Sequence, residues 1–266
     1  MLTLIGDILN WLAAGVLFPL LLLPLAGLIE KRRTRTVNAP TGAVVWGFFV
    51  IATAFATLLF INLAPRLAYK PNPQTIVIFA ATVGVLMIAI AIAGGPVALT
   101  RVIAPPLERV TRIAGRLAMW LVLLMAFVQF AVVILRYVFG LNFIFMQEGV
   151  TYMHGAVFLL AGGYTLLTDD HVRVDIFYRG AAPRRKALID FLGTYLLLFP
   201  ISLLILWTAT GYVGNSWAVG EGSNEQSGIP ALFLLKSLIP AFAVLMAMAG
   251  FVIAARAGET LRGEGR

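Results

Sequence analysis

Long apolar segments recur along the whole chain, and they restrict what it can fold into more than any other feature. Seven segments approach or exceed the roughly 20 apolar residues that a helix needs to cross a bilayer. They lie at about 8–29, 42–63, 75–99, 117–138, 148–168, 188–210 and 229–255. Barrel strands need only about 10 alternating residues, so these segments are too long and continuous for a barrel. The sequence therefore predicts an all-α integral membrane protein with about seven transmembrane helices.

Composition agrees with a membrane protein and argues against a soluble one. Charged residues make up only 12% of the chain and hydrophobic residues 61%, whereas soluble domains carry about 25% charge. The net charge of +8 could indicate a nucleic-acid partner. In a chain this apolar, however, it is better explained by basic cytoplasmic loops. We therefore expect no nucleic-acid partner.

The basic residues alternate between connections, which predicts an orientation. Most of the 20 lysines and arginines follow the first, third, fifth and seventh apolar segments. Since cytoplasmic loops are enriched in Lys and Arg, this pattern predicts a periplasmic N-terminus and a cytoplasmic C-terminus.

The connection after the third segment predicts a division of the chain. Pro105 and Pro106 suit a helix start, and the apolar residues from Leu107 onward recur at helical spacing. We therefore expect a three-helix membrane extension over 1–100. A four-helix core over 101–266 would follow, led by a separate amphipathic helix on the membrane surface.

The fifth apolar segment carries polar and small residues on one face. Glu148, Tyr152 and Gly155 are spaced at i, i+4 and i+7, a pattern that suits contact with another helix, within the chain or in another subunit. Glu148 could also bind a lipid headgroup, pair with Arg136 at the end of the preceding segment, or simply be hydrated. His154 in the same segment could relay protons or be a neutral, hydrogen-bonded imidazole near the interface.

A charged stretch, 169–178, directly follows that segment. His171, Arg173 and Asp175 alternate with β-branched residues, which indicates an extended strip on the inner membrane surface. If the stretch were helical instead, His171 and Asp175 would meet at i, i+4. We expect a local ion-pair network or, alternatively, a solvated loop.

The loop Gly214–Pro230 contains no Lys or Arg but carries Trp217, Glu221 and Glu225. Lys236 follows about 9 Å along the last helix from Pro230, at roughly 1.5 Å per residue. It can therefore reach the interface or pair with Glu221 or Glu225. The loop could be a docking surface for a soluble partner or a plain connector.

Signatures of other protein classes are missing from the sequence. It has no cysteine, only two histidines, and no GxSxG or GxxxxGK[ST] motif, so we expect no enzyme activity, metal or cofactor. A stand-alone carrier or channel remains an alternative, although few ionisable residues lie within the spans. An integral-membrane enzyme is a weaker alternative, because no convergent set of acid, base or metal ligands is evident.

From about residue 110 onward the chain resembles the small membrane subunit (DctQ-like) of tripartite ATP-independent periplasmic (TRAP) transporters. The resemblance rests on a succession of motifs, which in chain order are Arg136-Tyr137, Glu148, His171-Val172-Arg173-Val174-Asp175, Ser216-Trp217, Glu221, Glu225, Ser227, Gly228-x-Pro230, Lys236 and Pro240. The usual family member has four helices, so the first 100 residues are a departure from its pattern.

The resemblance implies a role in a sodium-driven symporter of the bacterial inner membrane. A periplasmic substrate-binding protein captures an organic anion, often a carboxylate, and a large elevator-type permease carries it. The small subunit scaffolds that permease among the membrane lipids and helps to dock the binding protein. Its interface residues in this chain would come from Arg136, Glu148, Tyr152, Gly155, His171, Arg173, Asp175, Trp217, Glu221, Glu225 and Lys236.

Overall fold

The structure, a computed structural model, describes residues 3–34, 73–171 and 178–263. The predicted span at 42–63 lies outside these ranges. So do Arg173 and Asp175, and with them most of the predicted strip after the fifth span.

The described residues form helices and no strands. Their order is α1 (Thr3–Asn10), a π-helical segment (Trp11–Leu17), α2 (Phe18–Leu21), α3 (Leu23–Thr34), α4 (Pro73–Ala93), α5 (Pro96–Tyr137), α6 (Ile144–Thr168), α7 (Pro183–Gly193), a second π-helical segment (Thr194–Leu198), α8 (Phe199–Val219) and α9 (Leu232–Arg262).

Five helical stretches among the described residues are long and apolar enough to cross a membrane, which confirms a helical membrane protein. They are Leu4–Ile29, Pro96–Tyr137, Ile144–Thr168, Pro183–Val219 and Leu232–Arg262. Each overlaps one of the predicted spans. The predicted span at 75–99 corresponds to α4, of which Val77–Ala93 is an apolar helix of shorter length.

Helix α5 corrects the prediction of a separate amphipathic helix that starts at Pro105 and Pro106. Both prolines lie inside one continuous helix of 42 residues. The break comes earlier, at Gly94 and Gly95, whose φ angles of 83° and 138° suit residues without a Cβ. Each internal proline removes one backbone hydrogen bond at a cost of about 3 kcal/mol, and the long helix continues through both.

The chain divides into two compact units, each assembled from separate stretches. The first comprises Met1–Leu9, Leu107–Val172 and Leu204–Ala249, and the second comprises Asn10–Pro106, Arg173–Leu203 and Gly250–Arg266. In the first unit, Leu9, Ala209 and Val213 form a buried cluster with Ile5 and Ile239 against it.

In the second unit, a tyrosine side chain forms hydrogen bonds with the backbone of another helical stretch. The Tyr195 hydroxyl donates a hydrogen bond to the Leu21 carbonyl at 2.7 Å and accepts one from the Leu25 N–H at 3.0 Å. These two backbone groups, four residues apart, would bond each other in an uninterrupted α-helix. In the same unit, the Phe18 and Phe79 rings pack with centroids 6.2 Å apart.

Candidate functional site

The loop Gly220–Ala231, between α8 and α9, folds back on itself. Helix α8 ends where Gly220 adopts a φ of 59°, a conformation that glycine adopts readily. The Ser223 N–H then bonds the Ile229 carbonyl at 3.1 Å, and the Gly228 N–H bonds the Glu225 carbonyl at 3.1 Å. Backbone hydrogen bonds therefore hold the loop in a compact turn.

Glu148 of α6 is the first side chain that anchors this loop. Its carboxylate accepts one hydrogen bond from the Ser223 hydroxyl and a second from the Ile229 N–H at 2.6 Å. The loop passes so close that a Cβ at Gly228 would lie 2.7 Å from the Glu148 Oε1 atom. Bonds to an ionised acceptor are the stronger kind, so Glu148 fixes the loop to the start of α6.

Lys236 of α9 is the second anchor. Its ammonium forms an ion pair with Glu221, one of the two partners that the sequence suggested. It also lies 4.2 Å from the centre of the Tyr212 ring, a favourable cation–π distance. The ammonium, which bonds the Glu221 carboxylate, holds the pKa of Glu221 below its ordinary value, and the Ser216 hydroxyl acts in the same direction.

Trp217 of α8 supplies a third contact between α8 and α9. Its indole N–H donates to the Ser237 hydroxyl at 2.8 Å, and its ring packs against Phe233 with centroids 4.6 Å apart. The polar tip of the loop, 224–227, stays exposed and includes Glu225. We call the loop Gly220–Ala231 together with Glu148, Trp217 and Lys236 the anchored loop.

The small residues of α6 form its contact with α9. A Cβ added at Gly155 would lie 3.1 Å from the Leu235 side chain, and one at Gly162 would lie 2.7 Å from Phe242. At Gly163 it would lie 2.8 Å from the Leu245 carbonyl oxygen. Of the two possibilities that the sequence left open, the contact is therefore within the chain at these positions. The Tyr152 hydroxyl on this helix is buried and has no hydrogen-bond partner among the described residues.

A comparison with protein-family profiles identifies the family of the chain. The profile described as "Tripartite ATP-independent periplasmic transporters, DctQ component" matches residues 125–260, just over half of the chain. The chain belongs to the DctQ family. No curated protein and no solved structure matches it.

DctQ components are the small permease subunits of TRAP transporters. They work with a large permease and a substrate-binding protein, and they are transporter components rather than enzymes. Every interface residue predicted from the sequence lies within the matched range, whereas the first 100 residues lie outside it. In the parts of this DctQ component that the structure describes, no three His, Cys, Asp or Glu side chains gather as a metal ion would require.

The structure does not form the ion pair between Arg136 and Glu148 that the sequence offered as one possibility. Both residues are described, and the Glu148 carboxylate bonds Ser223 and Ile229 instead. The Arg136 guanidinium lies 6.0 Å from the centre of the neighbouring Tyr137 ring. The loop donors satisfy the carboxylate, so Glu148 joins α6 to the anchored loop rather than to α5.

His171 turns back onto the end of α6. The helix ends at Asp169, whose φ of 64° is left-handed, and this reversal brings the His171 ring towards the last helical turns. The His171 Nε2 atom lies 3.0 Å from the Thr165 hydroxyl and 3.4 Å from the Gly162 carbonyl oxygen. His171 therefore packs back against the last two turns of α6, a contact that the alternating pattern of the sequence did not indicate.

Sequence reasoning missed Ser223, Ile229 and Ser237 as partners in the anchored loop. Ser223 and Ile229 meet a residue 75 and 81 positions away, and no periodic pattern connects such distant positions. The sequence indicated only that Glu148 needs partners, since an acidic residue at the start of a span must find hydrogen-bond donors or water.

Proposed function

We propose that this DctQ component is the stationary scaffold of a sodium-driven importer of organic anions. In this proposal it holds the large elevator-type permease in the bacterial inner membrane. Its anchored loop docks the periplasmic substrate-binding protein. The elevator mechanism requires such a part, because a domain that moves through the bilayer needs a fixed partner to move against.

The anchored loop is the observation that carries the proposal. A docking surface gains affinity when its loop is ordered before the partner arrives, since the ordering entropy is then not lost on binding. Here an acid of α6, a lysine of α9 and a tryptophan of α8 join the loop and its flanking helices. The exposed tip at 224–227 is polar and carries Glu225, which suits a soluble partner.

We also propose a transmembrane topology for the chain. Seven transmembrane helices, an N-terminus in the periplasm and a C-terminus in the cytoplasm would place the anchored loop on the periplasmic side. The alternation of basic connections along the sequence supports this orientation. Residues 1–100 would be an extension of three helices that widens the scaffold formed by 101–266, and membrane lipids would surround both.

Uptake into liposomes tests the docking role. The complete transporter is reconstituted with variants Glu225→Ala plus Gln226→Ala, and uptake is measured against the concentration of binding protein. Loss of a modest contact should raise the half-saturating concentration by roughly fivefold, while maximal uptake and the yield of complex stay unchanged. The matched control is Arg179→Ala, which removes a charge from another exposed turn.

Two results would contradict parts of the proposal. An unchanged dependence on binding protein would remove the docking role. Uptake that continues when sodium is replaced by potassium would remove the sodium-driven mechanism.

A further inference from the structure

His154 lies near the middle of a membrane-spanning helix. The sequence suggested a span that starts at 148, which would place His154 near an interface. Helix α6 instead runs from Ile144 to Thr168, 25 residues. His154 is therefore two residues from its midpoint, or about 3 Å along the axis. His154 also lies six residues, or about 9 Å along the axis, beyond Glu148, so the imidazole is inside the span rather than at the level of the anchored loop.

The His154 side chain points away from the rest of its own unit. It is exposed and has no hydrogen-bond partner among the residues that the structure describes. Thr151 and Phe158 share its face of the helix at i−3 and i+4, and Phe158 is 74% exposed. Of the glycines that contact α9, Gly155 and Gly162 border this face, and Gly163 lies on the opposite side of the helix.

Exposed threonines in these spans, unlike His154, do not leave a polar side chain without a hydrogen bond. The Thr151 hydroxyl donates to the Gln147 carbonyl at 3.4 Å, and the Thr208 hydroxyl of α8 donates to the Leu204 carbonyl at 2.9 Å. Each hydroxyl thus bonds its own helix, so lipid can cover it. The His154 ring makes no such bond, and lipid tails offer neither donor nor acceptor.

We propose that the Thr151–His154–Phe158 face of α6 is the seat of a transmembrane helix of the large permease subunit. That helix would place a polar group opposite the imidazole and a packing surface against Phe158. This inference rests on the proposed function, because it assumes that the complex forms. The substrate-binding protein is excluded as the occupant, since a soluble periplasmic protein does not enter the membrane span.

Photo-cross-linking tests the location. A benzophenone amino acid replaces Phe158 in the assembled complex, and a matched control carries it at Leu204 of α8, which is 50% exposed. We expect an adduct with the large permease at Phe158 in clear excess over Leu204. Equal yields from the two positions would overturn the proposal, and so would an adduct with a second copy of this chain. If the complex purifies but neither position cross-links, this face is wrong while the proposed function stands.

The role of the imidazole has its own test. His154→Gln keeps a hydrogen-bonding side chain, whereas His154→Leu keeps only apolar volume, which a membrane helix tolerates. We expect His154→Leu to weaken the association of the two subunits by roughly three- to tenfold, the range for one interhelical hydrogen bond. His154→Gln should retain most of the affinity. An unchanged affinity of the Leu variant, measured by subunit exchange in nanodiscs, would overturn the role of the ring.

Discussion

The Glu148 carboxylate of helix α6 accepts a hydrogen bond from the Ile229 N–H at 2.6 Å, across 81 residues of chain. The same carboxylate accepts the Ser223 hydroxyl, so one side chain holds two points of the loop between α8 and α9. Since Lys236 holds a third point through Glu221, the anchored loop is attached to two helices by charged groups. Its conformation therefore depends on contacts with the helices as well as on the backbone hydrogen bonds within the loop.

Replacing Glu148 by Ala should release the loop while leaving the helices in place. The Ile229 N–H loses its acceptor, so its amide should exchange with deuterium several-fold faster, and protease should cleave the loop faster. Hydrogen exchange followed by mass spectrometry measures both ends of the loop in one experiment. Glu225→Ala is the matched control, because Glu225 lies at the exposed tip. Equal exchange rates in the two variants would contradict the anchor.

The stability of the anchored loop should depend on pH through Glu221. Its pKa is held below the ordinary value of 4.5, chiefly by the bond from Lys236. A lowered pKa in the folded state contributes stability above the ordinary value, and this contribution is lost as the pH falls through the lowered value. Glu221→Gln should therefore reduce Tm at pH 7, and the difference from the unmodified protein should vanish at low pH. A difference that is constant from pH 7 to pH 3 would show that the charge is not responsible.

Gly163 should not tolerate even one added methyl group. A Cβ there would lie 2.8 Å from the Leu245 backbone oxygen, so α6 and α9 would have to move apart. We expect Gly163→Ala to lower the free energy of unfolding by about 1–3 kcal/mol, the usual range for overpacking. Gly149 of the same helix has nothing within 4 Å of such a Cβ. Gly149→Ala should therefore be neutral or stabilise by up to about 1 kcal/mol. Denaturant titration in mixed micelles compares them, and similar losses in both would refute the close contact.

Tyr195 should be needed to hold the helical stretch around Leu21 and Leu25. Tyr195→Phe removes the hydroxyl that bonds both backbone groups, and unsatisfied buried polar groups cost about 1–3 kcal/mol. We expect a loss of that order in unfolding free energy, with faster deuterium exchange confined to the Leu25 amide and its neighbours. Exchange that is unchanged at Leu25 would mean that the phenol is not its partner in the membrane.

The sequence predicted the helices well because their cause is local. A run of some 20 apolar residues must form a helix in lipid wherever it occurs, and five such stretches stand in the described ranges. The Lys236–Glu221 pair could also be predicted, since Glu221 lies in the loop that directly precedes the helix of Lys236. By contrast, the predicted helix start at Pro105 and Pro106 was wrong. Local propensity favours a helix start at proline, but the helix begins earlier, directly after Gly94 and Gly95.

The partners of Glu148 could not be predicted for a different reason. Arg136 is the nearest basic residue along the chain, and sequence reasoning favours near neighbours. The structure satisfies the carboxylate with a serine and a backbone N–H that reach it only once α6, α8 and α9 have packed. The position of His154 within its helix was also not predicted, because the helix begins at Ile144, four residues before the predicted start. Helix ends are the least certain part of any sequence-based assignment.

The central claim is that this DctQ component acts as a scaffold within a three-part transporter, and purification tests it most directly. The chain is tagged at its native expression level, extracted in mild detergent, and weighed together with whatever accompanies it by native mass spectrometry. The account predicts a stable complex with one large, very hydrophobic permease in fixed stoichiometry. A chain that purifies alone, intact and monodisperse, and that transports solute by itself in liposomes, would contradict it.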